Sequence, residues 1–116
     1  MQLRDLEIFE RQARLCAVMA NAKRLQILET LEAGEVSVGA IAEALGCSIS
    51  SASQHLRLMR DEGIVASRKD GQTVYYHLRT PKLVECCHMV REVLIEALRE
   101  QGRMAEDFDA VGRATR

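Results

Sequence analysis

Apolar residues recur at a helical period in four stretches before residue 62 and again after residue 82, with a β-like pattern between them. From Leu3 onward, Leu6, Phe9, Ala13, Cys16, Ala17 and Ala20 form one stripe, and acidic residues in the first turn suit the positive end of a helix dipole. Asn21 is a strong N-cap for a second helix over 22–32, in which Leu25, Leu28 and Leu31 recur at helical spacing before Gly34 ends it. Ser37 can cap a short third helix with Val38, Ile41, Ala42 and Leu45 turned inward, and Gly46 is a natural stop. Ser48 caps a fourth helix, which Gly63 terminates. Residues 64–68 and 73–78 are β-rich around Lys69-Asp70-Gly71-Gln72, a hairpin signal with an Asp-Gly tip. Thr80-Pro81 reads as an N-cap followed by proline at the first helical position, opening a last helix to about Gln101.

These elements predict a mainly α fold with a small β-hairpin wing, in the order α-α-α-α-β-β-α. Residues 1–101 form one domain, and the polar, glycine-punctuated residues 102–116 form a flexible C-terminal tail. The third and fourth helices, joined by a tight turn containing Gly46, carry the helix-turn-helix pattern.

The fourth helix separates into two faces. Ile49, Ala52, Leu56 and Met59 fall on one side, and Ser50, Ser53, Gln54, Arg57 and Asp61 on the other. A purely solvated face usually carries Glu and Lys, and serine is a mediocre helix former. Small hydroxyls, an amide and a guanidinium are what a helix needs to reach base edges and phosphates in a DNA major groove. His55 lies at the boundary of the two faces, where its imidazole either bonds neighbouring groups or contacts a phosphate. Tyr75 and Tyr76 alternate sides of the second wing strand, one toward the core and the other toward a DNA backbone.

The formal net charge of −1 does not advertise a nucleic-acid partner, but location matters more than the sum. Between Ser48 and Arg79 five basic residues face three acidic ones, and the remaining acids concentrate elsewhere. An aromatic content of 3% gives base-stacking recognition of single strands little to work with. The charged N-terminus lacks a signal-peptide core, and no uncharged run approaches a membrane span. A cytoplasmic protein with reduced thiols and no membrane partner is expected. No nucleophilic triad, phosphate loop or paired carboxylate occurs at usable spacing, so an enzyme is not expected.

In the last helix Leu83, Cys87, Val90, Leu94 and Leu98 make one stripe, and Cys86, Met89, Val93 and Ala97 a second beside it. That band is wider than one packing partner requires, which points to an isologous homodimer through the first and last helices. Cys86, Cys87 and His88 are consecutive, and residues two apart on a helix diverge by about 200°, so Cys86 and His88 cannot chelate one ion. A bridge between the adjacent thiols is strained. Cys16, Cys86 and Cys87 are therefore read together, either as an effector site for a thiophilic metal or oxidant or as small packing residues. Cys47 is expected in the core, and no obligatory cofactor is expected.

The segments KRLQIL, SISSASQHLRLMRDEGIV and RKDGQTVYYHL, in this order and spacing, resemble the ArsR/SmtB family of winged-helix repressors over residues 15–98. The resemblance implies a homodimer that binds double-stranded operator DNA at an inverted repeat and is released by a metal ion, metalloid or oxidant. It implies groove contacts from Ser48, Ser50, Ser51, Ser53, Gln54 and Arg57, and wing contacts from Arg68, Lys69 and Gln72. The chain departs from the family pattern at Ile49, often glutamine in relatives, which either packs or meets a thymine methyl. Neither well-known ligand set is present. The third helix has no Cys-x-Cys, and Thr80, Lys82, Val93 and Glu96 stand near the positions of the Asp/His set in zinc-type sensors.

Overall fold

Local side chains start three of the helices in the computed structural model, which describes residues 3–102. The side chain of Asn21 accepts from the Arg24 N–H to open helix α2 (Ala22–Leu31). Ser37 does the same for α3 (Val38–Leu45) through Ala40, and Ser48 for α4 (Ile49–Asp61) through Ser51. Each cap satisfies an amide that the first helical turn leaves without a partner. Helix α1 (Leu3–Met19) precedes them, and α5 (Lys82–Glu100) ends the described chain. Pro81, not Thr80, takes the cap position of α5. Its backbone is already helical and its carbonyl accepts from Val84 and Glu85, so that helix opens without a side-chain cap.

Two strands make the expected hairpin, β2 (Val65–Asp70) and β3 (Thr73–Leu78), paired antiparallel from Val65↔Leu78 to Asp70↔Thr73. The reversal is made by Gly71-Gln72, with Gly71 at φ 62°, a left-handed conformation that a side chain would strain. The structure adds a strand that the sequence pattern did not suggest. Val36–Ser37, β1, pairs with Tyr76 and Tyr75, giving the sheet order β1-β3-β2. A two-residue strand has no period to read, and its existence depends on a partner some 40 residues away.

The chain divides at Thr80 and Pro81 into two compact units. In the first, the core joins Ile27, Leu28 and Leu31 of α2, Ile41, Ala42 and Leu45 of α3, and Ala52, Leu56 and Met59 of α4. Ile64, Val65 and Tyr76, with Met19 from the end of α1, complete it. Leu25, expected on the buried stripe of α2, is exposed, and Ile27 takes its place. Cys47 is only half-buried, because it lies in the turn between α3 and α4. The second unit is α5, whose buried residues are Val84 and Ile95. Neither belongs to the two stripes expected from the sequence, and Met89, Val90, Val93 and Leu94 from those stripes are exposed. The expected C-terminal tail lies, from residue 103 on, outside the described residues. No helix among the described residues is long and apolar enough to cross a membrane.

Candidate nucleic-acid interface

The turn between α3 and α4 is set by Gly46, at φ 65°, whose N–H bonds back to Glu43 while the Cys47 N–H reaches Ala42. This left-handed stop lets α4 leave at an angle to α3 and turn one face outward. Ala52, Leu56 and Met59 are fully buried beneath α4, which fixes its rotation. Ser50, Gln54 and Arg57 are exposed on the opposite side, and Ser51, Ser53 and His55 lie half-buried along its flanks. Ile49 is 57% exposed and so does not pack into the core beneath α4. It sits at the outward N-terminal end of α4 beside Ser50.

Among the described residues, no side-chain hydrogen bond or ion pair ties down Ser50, Ser53, Gln54 or Arg57. Their donors and acceptors are available to a polar ligand. Ser48 is different. Its Oγ accepts from the Ser51 amide at 3.0 Å, which leaves the hydroxyl proton to donate outward.

The wing is less free than its sequence suggests. Glu35, just ahead of β1, accepts a two-pronged contact from Arg68. Nε donates at 2.9 and 3.0 Å and Nη2 at 2.7 Å. The β1–β3 register makes this possible by carrying the chain before Val36 alongside His77, whose Nδ1 lies 4.0 Å from the Glu35 carboxylate. The Arg68 guanidinium also lies over the Tyr75 ring, 4.7 Å from its centre, and Asp70 stands 4.0 Å from Nη1. These hydrogen bonds hold the Glu35 carboxyl below the usual carboxylate range. Arg68 thus keeps only its Nη edge for a phosphate, whereas Lys69 and Gln72 at the wing tip are exposed and untied among the described residues. Tyr76 is buried, as one of the two wing tyrosines was expected to be.

The Lys23-Arg24 pair at the start of α2 has a role that the sequence pattern hid. Lys23 Nζ donates to the Leu45 carbonyl at 2.7 Å, at the C-terminal end of α3 where a cation is favourable. Arg24 Nε donates to the Val18 carbonyl near the end of α1, and its Nη1 lies 3.3 Å from His55 Nδ1 on α4. Two cations at the head of one short helix therefore tie α2 to the ends of α1 and α3 and, through Arg24, to α4. Both are consumed inside the fold, although composition alone would count them toward a DNA-binding surface.

Among the cysteines, Cys16 on α1 and Cys86 on α5 are exposed, and Cys87 is half-buried.

A helix presenting unpartnered polar groups, set by a glycine turn behind a short helix and followed by a β wing, defines a winged helix-turn-helix DNA-binding module. Residues 19–68 match the model of a helix-turn-helix domain family. The chain is 32% identical over 109 residues to the uncharacterized HTH-type transcriptional regulator Rv0081 of Mycobacterium tuberculosis, covering 93% of this chain and 96% of that one. It is 37% identical over 98 residues to the transcriptional activator HlyU of Vibrio cholerae, covering 84% and 91%. The solution structure of the homodimeric winged helix-turn-helix domain of Mb0332 from Mycobacterium bovis, a possible ArsR-family regulator, superposes with a TM-score of 0.75. That pair is 32% identical over 86% of this chain and 93% of the other. The chain belongs to the ArsR/SmtB family of winged-helix transcriptional regulators, and its relatives are DNA-binding regulators, not enzymes.

Proposed function

We propose that this chain is a cytoplasmic, homodimeric repressor. In this reading α4 occupies the major groove of each half of an inverted-repeat operator, and the wing grips the neighbouring backbone. The observation that carries this reading is the outer face of α4, where Ser50, Gln54 and Arg57 stand exposed and untied above a fully buried stripe. Ser48, Ser51, Ser53 and His55 flank that face, and Arg68, Lys69 and Gln72 serve the wing. The dimer forms through α1 and α5, whose exposed Leu6, Ile8 and Phe9, and Met89, Val90, Val93 and Leu94, are the apolar surface a second copy would cover. Mb0332 is itself homodimeric.

Release is assigned to the thiols of Cys16, Cys86 and Cys87, on the two helices that would form the dimer. A thiophilic ion, metalloid or oxidant there would alter the spacing of the two reading helices, which is a coupling free energy between distinct sites.

The test is selection from a random duplex pool, followed by anisotropy titration of the recovered duplex at two salt concentrations. An inverted repeat with half-sites roughly 10 base pairs apart, and an affinity falling steeply with salt, is the expected result. Recovery of no duplex, or a salt-independent affinity, sinks the repressor reading. Addition of arsenite, antimonite, cadmium, zinc, peroxide or persulfide should then release the wild-type protein but not C86S/C87S, which binds DNA as before. Normal release of that double variant removes the thiols from the mechanism.

A further inference from the structure

His55 sits on the flank of α4, half-buried, between the stripe that packs inward and the face turned out. Its Nδ1 lies 3.3 Å from Arg24 Nη1. A guanidinium has only donors and keeps its proton at any accessible pH, so in this contact Nδ1 must accept. A neutral imidazole that accepts at Nδ1 carries its single proton at Nε2. No protein group accepts from Nε2 among the described residues, and the half-buried ring leaves no buried nitrogen without a partner, so Nε2 reaches solvent.

The charged groups facing the ring are Arg24 and Lys23, both from α2. Partial burial and these two cations hold the imidazole below its ordinary pKa, so it stays neutral at pH 7. Arg24 itself has little freedom, because Nε is occupied by the Val18 carbonyl. The ring is therefore oriented by a side chain anchored to a different helix.

We propose that Arg24 is a positioning residue that fixes His55 with an outward Nε2–H, and that this N–H donates to a phosphate of the DNA at the edge of the groove. The centre of a reading helix faces base edges, whereas its flanks pass the phosphate walls, which makes a phosphate oxygen the acceptor. Because the donor is neutral, the contact orients the helix without displacing a counterion. This inference rests on the reading of α4 as the DNA-contacting helix.

Two measurements test it. In the free protein, long-range proton–nitrogen NMR of the His55 ring at pH 7 should show a protonated Nε2 and an unprotonated Nδ1. Arg24→Met should convert this to a mixture of tautomers. A ring protonated at Nδ1, or at both nitrogens, in the wild-type protein overturns the proposal without reference to DNA or to any variant. In binding, His55→Ala should weaken affinity for the selected duplex by about tenfold or more, the range for a hydrogen bond to a charged group. The slope of affinity against salt should stay unchanged. His55→Gln, whose amide nitrogen can stand near Nε2, should recover most of the loss. Wild-type affinity in His55→Ala, or a shallower salt slope, overturns the proposal. Loss of the predicted tautomer with intact DNA binding defeats this inference alone. The predicted tautomer in a wild-type protein that binds no duplex defeats the DNA reading, and the phosphate contact with it.

Discussion

Helices α4 and α5 are built alike on one side and oppositely on the other. Each buries a narrow apolar stripe, Ala52, Leu56 and Met59 in α4 and Val84 and Ile95 in α5. Outward, α4 shows Ser50, Gln54 and Arg57, with Ile49 and Leu58 also exposed, whereas α5 shows a run of Met89, Val90, Val93 and Leu94. A surface of unpartnered donors and acceptors is matched by a polar ligand, because each group can exchange water for a directed hydrogen bond. A surface of exposed aliphatic side chains is matched by another apolar surface, through release of water. One chain thus carries two exposed helix faces suited to partners of different chemistry. Under the proposed function, the face of α4 meets DNA and that of α5 meets a second copy.

The largest effect should come from changing the character of the α5 face. Val90 is 69% exposed and Val93 is 65% exposed, so Val90→Glu/Val93→Glu should leave the monomer fold intact, and glutamate is a good helix former. Sedimentation should show a monomer. Affinity for an inverted repeat should fall about 100-fold or more, since the second half-site is no longer linked to the first. An unchanged dimer would show that the contrast between the two faces has been misread.

A smaller effect is expected on α4. Arg57→Ala should weaken duplex binding by roughly 1–2 kcal/mol in all. Urea unfolding should move by less than about 0.5 kcal/mol, because Arg57 is exposed and untied. Equal losses of stability and binding would place Arg57 in the fold and not at the ligand.

The smallest effect concerns pH. The His55 pKa is depressed by burial and then by Arg24 and Lys23, so between the folded and unfolded values the unfolded chain binds more protons. Its contribution to stability is therefore complete above the unfolded value of about 6.5 and is lost as pH falls through the folded value. Urea unfolding at pH 7.5 and 5.5 should show a decrease in the wild-type protein that is smaller in His55→Gln. Glu35 acts in a separate, more acidic window. Its pKa is lowered chiefly by the Arg68 hydrogen bonds, so its contribution is present above the ordinary carboxylate range and lost below it.

Much of this fold is legible in the chain itself, for a physical reason. The caps at Asn21, Ser37 and Ser48, the left-handed stop at Gly46 and the Gly71 tip act over three or four residues, so their signals lie side by side in the sequence. The two faces of α4 are legible because a 3.6-residue period sorts them, with Ile49 and His55 at the boundary left undecided. Tertiary structure decided the rest. Arg68 reads as a free wing cation until Glu35, 33 positions away, is brought against it by β1, a strand too short to announce itself. Arg24 reads as surface charge until α1 and α4 converge on it, and His55, 31 positions away, takes its tautomer from that contact. The rotation of α5 also escaped the pattern, because a helix with apolar residues on most of its circumference offers several stripes of nearly equal weight. Local hydrogen bonding set where the elements begin and end. Only the packed chain determined which charged groups were already engaged within the fold and which remained for a partner.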